Sequence, residues 1–235
     1  MQNPEKEKTE QSRVWTATAV GTAAVVGIWA VWRFRRFETV HDIPKVMFPK
    51  RMPDQTRSFR SLFGYITRVG DGDNFRFFHT PGGYWLGWHW LRKVPTSRSD
   101  LASKTISVRL AGVDAPESGH FGKKAQPFSL EAKQFLSKTL LHRNVRITPL
   151  KIDQYSRLVA GVQYYPISHF FWKRDIGPAM VQKGLAVVYD GTDGVFYPSS
   201  KERLQFLEKK AKKKQLCLWS QGKHLVLPSE HKRNS

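Results

Sequence analysis

The 235-residue chain, 40% apolar and 13% aromatic, carries enough apolar surface for one main core, which excludes a disordered polyelectrolyte. Its 39 Lys and Arg against 19 Asp and Glu leave a net charge of +20, which points to a phosphate-rich partner or an anionic membrane surface. Cys217 is the single cysteine, so no disulfide partner is expected, and with no clustered histidines a structural zinc site is disfavoured.

Residues 1–13 form a polar tail. Residues 14–32, VWTATAVGTAAVVGIWAVW, then run without a charge for the length of a bilayer-crossing helix. Trp15, Trp29 and Trp32 lie towards its ends, where amphipathic rings favour the headgroup level. The charge-balanced leader PEKEKTEQSR and the lack of a following small-residue cleavage site favour an uncleaved transmembrane anchor over a signal peptide. Three Lys and Arg precede the span and six follow it closely, which puts the C-terminal bulk on the cytosol-like or matrix-like side. Residues 33–57, with Pro44, Pro49 and Pro53, read as a linker. The main domain is expected over 58–222, followed by a polar tail at 223–235; residues 55–235 alone retain +17.

Within the domain, SLFGYITRV and NFRFFHT read as strands around the turn VGDGDN. A Trp-rich insertion follows, in which Tyr84, Trp85, Trp88 and Trp90 are expected first to fill a core or hairpin, with base stacking or a membrane interface as the other readings. TISVRLAGV is a third strand, with Ile106, Val108 and Leu110 on one face. From Phe128 the apolar spacing becomes helical, with Ser129 as a candidate cap. NVRITPLKI and RLVAGVQYY are two further strands. A short helix around Ile176, Met180 and Val181 ends at Gly184, and SSKERLQFLEKKAKKKQ is a last helix with its lysines outward. The pattern predicts an α+β fold with a small β-barrel, preceded by one N-terminal transmembrane helix.

Two acidic clusters fall at strand ends in this basic domain: Asp71 and Asp73 in VGDGDNF, and Asp114 and Glu117 in GVDAPES. One such aspartate alone reads as a turn cap. Several together need a cation or an arginine to offset their repulsion, and a hard divalent ion takes carboxylate and carbonyl oxygens. Arg109 lies in the strand leading to Asp114 and Arg157 begins another strand, and a guanidinium can grip a phosphate bidentately. A salt bridge for Arg109 and a plain surface position for Arg157 are the rival readings. The offset of five between Arg109 and Asp114 changes strand parity, so the two share a site only through a twist or an edge.

DGDN at 71–74, RLAGVDAPE from Arg109 to Glu117, DQYSR ending at Arg157, the GLAVVY run and the closing basic helix with LCLWS occur in the order of the staphylococcal-nuclease-like (thermonuclease) family, which this sequence resembles over about residues 58–222. With the apolar N-terminus and the continuation ESGHFGKKAQPFS, it is most similar to the fungal membrane-anchored, mitochondrial probable endonucleases of that family. The resemblance implies a five-stranded OB-type β-barrel with three helices, and Ca²⁺-dependent hydrolysis of phosphodiester bonds in DNA or RNA. It also implies that Asp73 and Asp114 bind Ca²⁺ through carboxylates and Ala115 through its carbonyl, with Asp71 nearby. Glu117 would activate water, and Arg109 and Arg157 would bind the phosphate.

Asn74 and Ala115 stand where the bacterial enzyme has threonines, and Ser156 where it has a glycine, which matters if that position needs a positive φ. His120 is either a proton donor or a surface histidine. Two alternatives to the enzyme stay open: a catalytically weak nucleic-acid-binding module tethered to a membrane, and a scaffold whose KKAKKK segment docks on anionic lipid.

Overall fold

The alternation in TISVRLAGV is realised as strand β3, Ile106–Leu110, buried at Ile106, Val108 and Leu110 and half-buried between them. The computed structural model describes residues 34–49, 59–119, 124–166 and 172–233, together with Thr22, Val25 and Gly27. The chain divides into the units Met1–Arg36 and Phe37–Ser235. In the first, Thr22, Val25 and Gly27 are helical; the rest of the predicted span at 14–32, and residues 50–58 of the linker, lie outside the described residues. Among the described residues no helix is long and apolar enough to cross a membrane.

The second unit is built on a closed barrel. Strands β1, Leu62–Val69, and β2, Asn74–His79, form an antiparallel hairpin, and β2 pairs antiparallel with β3. On the other side β1 pairs with β5, Asn144–Ile152, and β5 with β6, Leu158–Tyr164. A parallel pairing of β3 with β6 closes the ring, so five strands leave no free edge between them. Two-residue strands β4, Val113–Asp114, and β8, Val187–Val188, form a separate ribbon, and β7, Arg174–Asp175, extends the sheet beyond β6.

Among the described residues, five α-helices surround the barrel: α1 Arg98–Ala102, α2 Ser129–Leu140, α3 Ile176–Gln182, α4 Lys201–Lys213 and α5 Pro228–Arg233. The three longer ones are those the apolar spacing predicts; α1 and α5 are too short to show a period. Ala132, Leu136 and Leu140 of α2 and Ile176, Met180 and Val181 of α3 join Phe75, Phe77, Ile66, Val108, Ile147 and Leu158 in the core. Gly184 ends α3 at φ 69°, and the buried Leu204 and Ala211 seat α4.

Four expectations change. Ser129 does not cap α2: Phe128, at φ 65°, precedes the helix, and Ser129 is its buried first residue. The segment read as a linker is part of the domain from Phe37 to Phe48, because Val40 and Ile43 are buried in the core. Phe37 stacks on His79 at 4.9 Å and donates its N–H to His79 Nδ1 at 3.0 Å. At the other end, Gln126 Nε2 donates to the Val226 carbonyl at 3.3 Å and Pro228 is buried, so the polar tail starts later than composition suggests. In the insertion only Trp88 is core, its Nε1–H on the Pro81 carbonyl at 3.0 Å and its ring edge-on to Phe78; Tyr84, Trp85 and Trp90 are exposed.

Candidate active site

Main-chain register sets the first part of the site. Asn74 is paired with Arg109 across β2 and β3, and the Asp73 carbonyl accepts the Leu110 N–H at 2.9 Å, so Asp73 lies alongside the arginine. A side chain at Gly72 would bring its Cβ to 2.7 Å from Ala115 Cβ. Glycine there lets the acidic turn press onto the segment that carries Asp114. The parity problem is solved by the turn between β3 and β4, where Gly112 sits at φ 72°, a conformation L side chains rarely adopt. Arg109 and Asp114 therefore reach one side of the barrel.

There Arg109 bridges the two acids. Its Nε lies 3.2 Å from Asp73 Oδ2 and its Nη2 donates to Asp114 Oδ1 at 2.8 Å, with all three side chains largely buried. Burial pulls the guanidinium pKa down, but Asp73 and Asp114, then Tyr189 and Asp153, hold it above its usual value. The salt-bridge reading of Arg109 is thus realised, in a geometry that draws two site carboxylates together. Removing one partner of such a buried cluster typically costs ~3–5 kcal/mol, since charge is left uncompensated.

Arg157 comes from the turn that leads into the neighbouring strand, β6. Parallel pairing of Val108 with Leu158 fixes β3 against β6, and Arg157 immediately precedes that pair. Asp153 accepts the backbone N–H groups of Tyr155 and Arg157, each at 2.9 Å, and the Arg157 Nε–H at 2.7 Å. Burial would raise the Asp153 pKa, yet these bonds and the arginine charge hold it below the usual carboxylate value. Ser156, inside this loop, has φ 55°, so the position does take the left-handed conformation.

Aromatic rings flank both cations. Tyr155 lies 5.1 Å from the Arg157 guanidinium and Tyr189 5.5 Å from that of Arg109. The ribbon of β4 and β8, continued by the Tyr189 N–H on the Gly112 carbonyl at 3.0 Å, puts Tyr189 there. A narrow cavity of about 40 Å³ opens beside Arg109, bordered by Lys151, Asp153, Tyr189 and Asp193.

The remaining predicted residues are tied in from the loop after β4. Asp71 is buried and accepts from Ser118 Oγ at 2.6 Å and from the Gly72 N–H at 2.8 Å. It fastens the segment next to Glu117 to the turn that bears Asp73. The Glu117 N–H donates to Gln126 Oε1 at 2.8 Å, and the Gln126 N–H returns to the Glu117 carbonyl at 3.0 Å, a reciprocal clamp on that backbone. His120 lies outside the described residues.

Asp73, Asp114 and Arg109 are therefore brought together, Ala115 follows Asp114 into a buried position, and Asp71 turns to Ser118 instead. Among the described residues no three His, Cys, Asp or Glu side chains gather as a metal-ligand set. The donors that do converge are hard oxygens, the kind a divalent cation such as Ca²⁺ takes. Sequence reasoning missed Asp153, Gln126 and Tyr189. Asp153 had a signal, an aspartate four residues before an arginine across a turn; the other two act over long separations and had none.

The family model described as staphylococcal nuclease homologue matches residues 107–221, from β3 to the segment after α4. A protein of Schizosaccharomyces pombe named a probable endonuclease is 60% identical over 228 residues, covering 97% of this chain and 99% of that protein. A probable endonuclease of Schizosaccharomyces japonicus is 53% identical over 203 residues, 86% of this chain and 87% of its own. One of Pyricularia oryzae is 41% identical over 228 residues, 96% and 84% of the two chains.

Proposed function

The chain belongs to the staphylococcal nuclease homologue family, and from that premise we propose that it is a Ca²⁺-dependent endonuclease, held at a membrane by residues 14–32, that hydrolyses phosphodiester bonds of DNA or RNA. The observation that supports this most is the pair of arginines, Arg109 on β3 locked between Asp73 and Asp114 and Arg157 at the entry to the adjacent β6 locked on Asp153. Each guanidinium is oriented by a carboxylate while keeping N–H groups that the carboxylate does not use. A phosphodiester bound between them meets fixed positive charge, which grows in value as charge builds on the phosphoryl oxygens.

Glu117 is the base in this reading. It takes a proton from a water whose oxygen forms the new bond to phosphorus, while the bond from phosphorus to the leaving ribose oxygen breaks and that oxygen takes a proton from solvent. The clamp by Gln126 and the tie from Asp71 to Ser118 hold its backbone in place. Asp73, Asp114 and the Ala115 carbonyl would hold the divalent cation, which adds positive charge beside the phosphate. The anchored N-terminus, by its resemblance, carries the further proposal of a mitochondrial membrane.

The test incubates the detergent-solubilised full chain with single- and double-stranded DNA and RNA, with Ca²⁺ and then with chelator, alongside Glu117→Gln. Cleavage is expected to need the cation and to fall ~10²-fold or more in the variant. Binding that survives in both proteins with no cleavage in either would instead make this a nucleic-acid-binding module.

A further inference from the structure

The insertion between β2 and β3 is not absorbed by the catalytic reading, and among the described residues its tip gathers the most exposed apolar side chains of the domain. Trp85 is 96% exposed, Leu91 72%, Trp90 67% and Tyr84 58%, four large side chains within eight positions. The tip is nonetheless built. Trp88 pins it to the barrel through Pro81 and Phe78, and Gly82 and Gly87 turn the chain on either side at φ 74° and 84°.

Five of its backbone N–H groups are bonded within it. The Gly87 N–H bonds to the Tyr84 carbonyl at 3.0 Å, Trp88 to Gly83 at 3.3 Å, Leu91 and Arg92 to Gly87 at 2.8 and 2.7 Å, and His89 to Arg92 at 2.9 Å. Even the Trp90 indole N–H is used, on the Tyr84 carbonyl at 3.0 Å. A loop that keeps its backbone bonds inside itself can leave water without the cost of unpaired amides. Around it, residues 74–99 contain Arg76, Arg92, Lys93 and Arg98 and no acidic residue.

From this combination we propose that the tip bearing Tyr84, Trp85, Trp90 and Leu91 inserts into the headgroup region of an anionic lipid bilayer. Tryptophan and tyrosine favour that depth, and Arg92 and Lys93 complement anionic headgroups. Single-stranded nucleic acid fits the tip less well, because bases stack on rings and gain little from an exposed leucine. Docking would give the enzyme a second, reversible contact with the membrane and fix how its active site faces the surface. This inference rests on the membrane half of the function proposed above.

The experiment uses the full chain in vesicles of phosphatidylcholine and phosphatidylserine. An environment-sensitive fluorophore is placed on Leu91→Cys in a Cys217→Ser background, with Glu202→Cys on the exposed face of α4 as control. The label at 91 should emit to the blue of the label at 202 and be quenched by lipids spin-labelled near the headgroup; adding Trp85→Ser should lower that quenching at least twofold. Thermal midpoints check that these changes, including Cys217→Ser at a side chain packed against the core, leave the fold intact. Equal, water-like emission at both positions would overturn the docking. So would a blue shift that appears only with single-stranded oligonucleotide, or one that follows protein density without lipid quenching, which would mark a second copy as the occupant. The anchor fails separately: protein stripped from floated vesicles by alkaline carbonate would refute residues 14–32 as a span while leaving the tip standing, and protein that does not float at all would refute both.

Discussion

Asp153 and Arg157 form a closed loop lock: one carboxylate takes the Arg157 Nε–H at 2.7 Å and its backbone N–H at 2.9 Å, and the same charge reaches Arg109 on the neighbouring strand. One acid thereby orients the second arginine and adds to the field that keeps the first one charged. Asp153→Asn retains an oxygen for the backbone but loses the ionic bond to Nε. Cleavage is expected to fall roughly tenfold and stability by about 1–2 kcal/mol, read from cleavage rates and urea unfolding. An unchanged rate would show that Arg157 finds the phosphate without this support.

Arg109→Lys tests the fork against the charge. A lysine ammonium could meet Asp73 or Asp114 as a point charge, but it cannot hold both while presenting further N–H groups in one plane. Activity should drop ~10²-fold or more with the barrel intact by circular dichroism. Arg109→Ala is expected to do worse on stability, because the buried carboxylates of Asp73 and Asp114 would lose the guanidinium that bridges them. Equal activity in the lysine variant would reduce Arg109 to a structural ion pair.

How much of this could be read beforehand follows from the range over which each signal acts. Ile106, Val108 and Leu110 announce their strand because burial alternates with a period of two, and Ala132, Leu136 and Leu140 announce their helix because a turn repeats every 3.6 residues. Arg109 and Asp114 were visible as chemistry, yet their meeting depended on Gly112 at φ 72° shifting the parity, which no local pattern encodes. The same limit applies to Gln126 holding Glu117 and to Tyr189 lying over Arg109, contacts made across loops. Composition also cannot separate Trp88, which is core, from Trp85, which is almost bare; that depends on where Pro81 and Phe78 sit.

Ser156 carries a strain that the site tolerates. Its φ of 55° places an L side chain in the left-handed region, which costs roughly 1–2 kcal/mol. Glycine would adopt the same turn without that cost, though it gains more freedom when unfolded. Ser156→Gly is therefore expected to stabilise the domain by about 1 kcal/mol and to leave the bonds from Asp153 in place. Thermal unfolding checks the sign; a lower midpoint would mean that the serine side chain contributes more than its backbone costs.

Asp175 gives the fold a dependence on pH away from the catalytic residues. It caps α3 by accepting the Gly177 N–H at 3.2 Å, and burial raises its pKa to about 6 against the opposing effects of Ser199, Gly177 and Arg203. The folded state thus holds a proton that the unfolded chain, at 3.8, gives up more readily. Between about pH 4 and 6 the folded form binds more protons, so the stability due to this group is complete below pH 4 and is lost as pH rises through 6. The size is roughly 2–3 kcal/mol, because each tenfold difference in proton affinity between the folded and unfolded chains is worth about 1.4 kcal/mol. Asp175→Asn keeps a capping oxygen and removes the titration. Urea unfolding at about pH 4.5 and pH 7.5 should show wild type losing stability across that interval relative to the variant, and parallel profiles for the two proteins would rule out Asp175 as the group responsible.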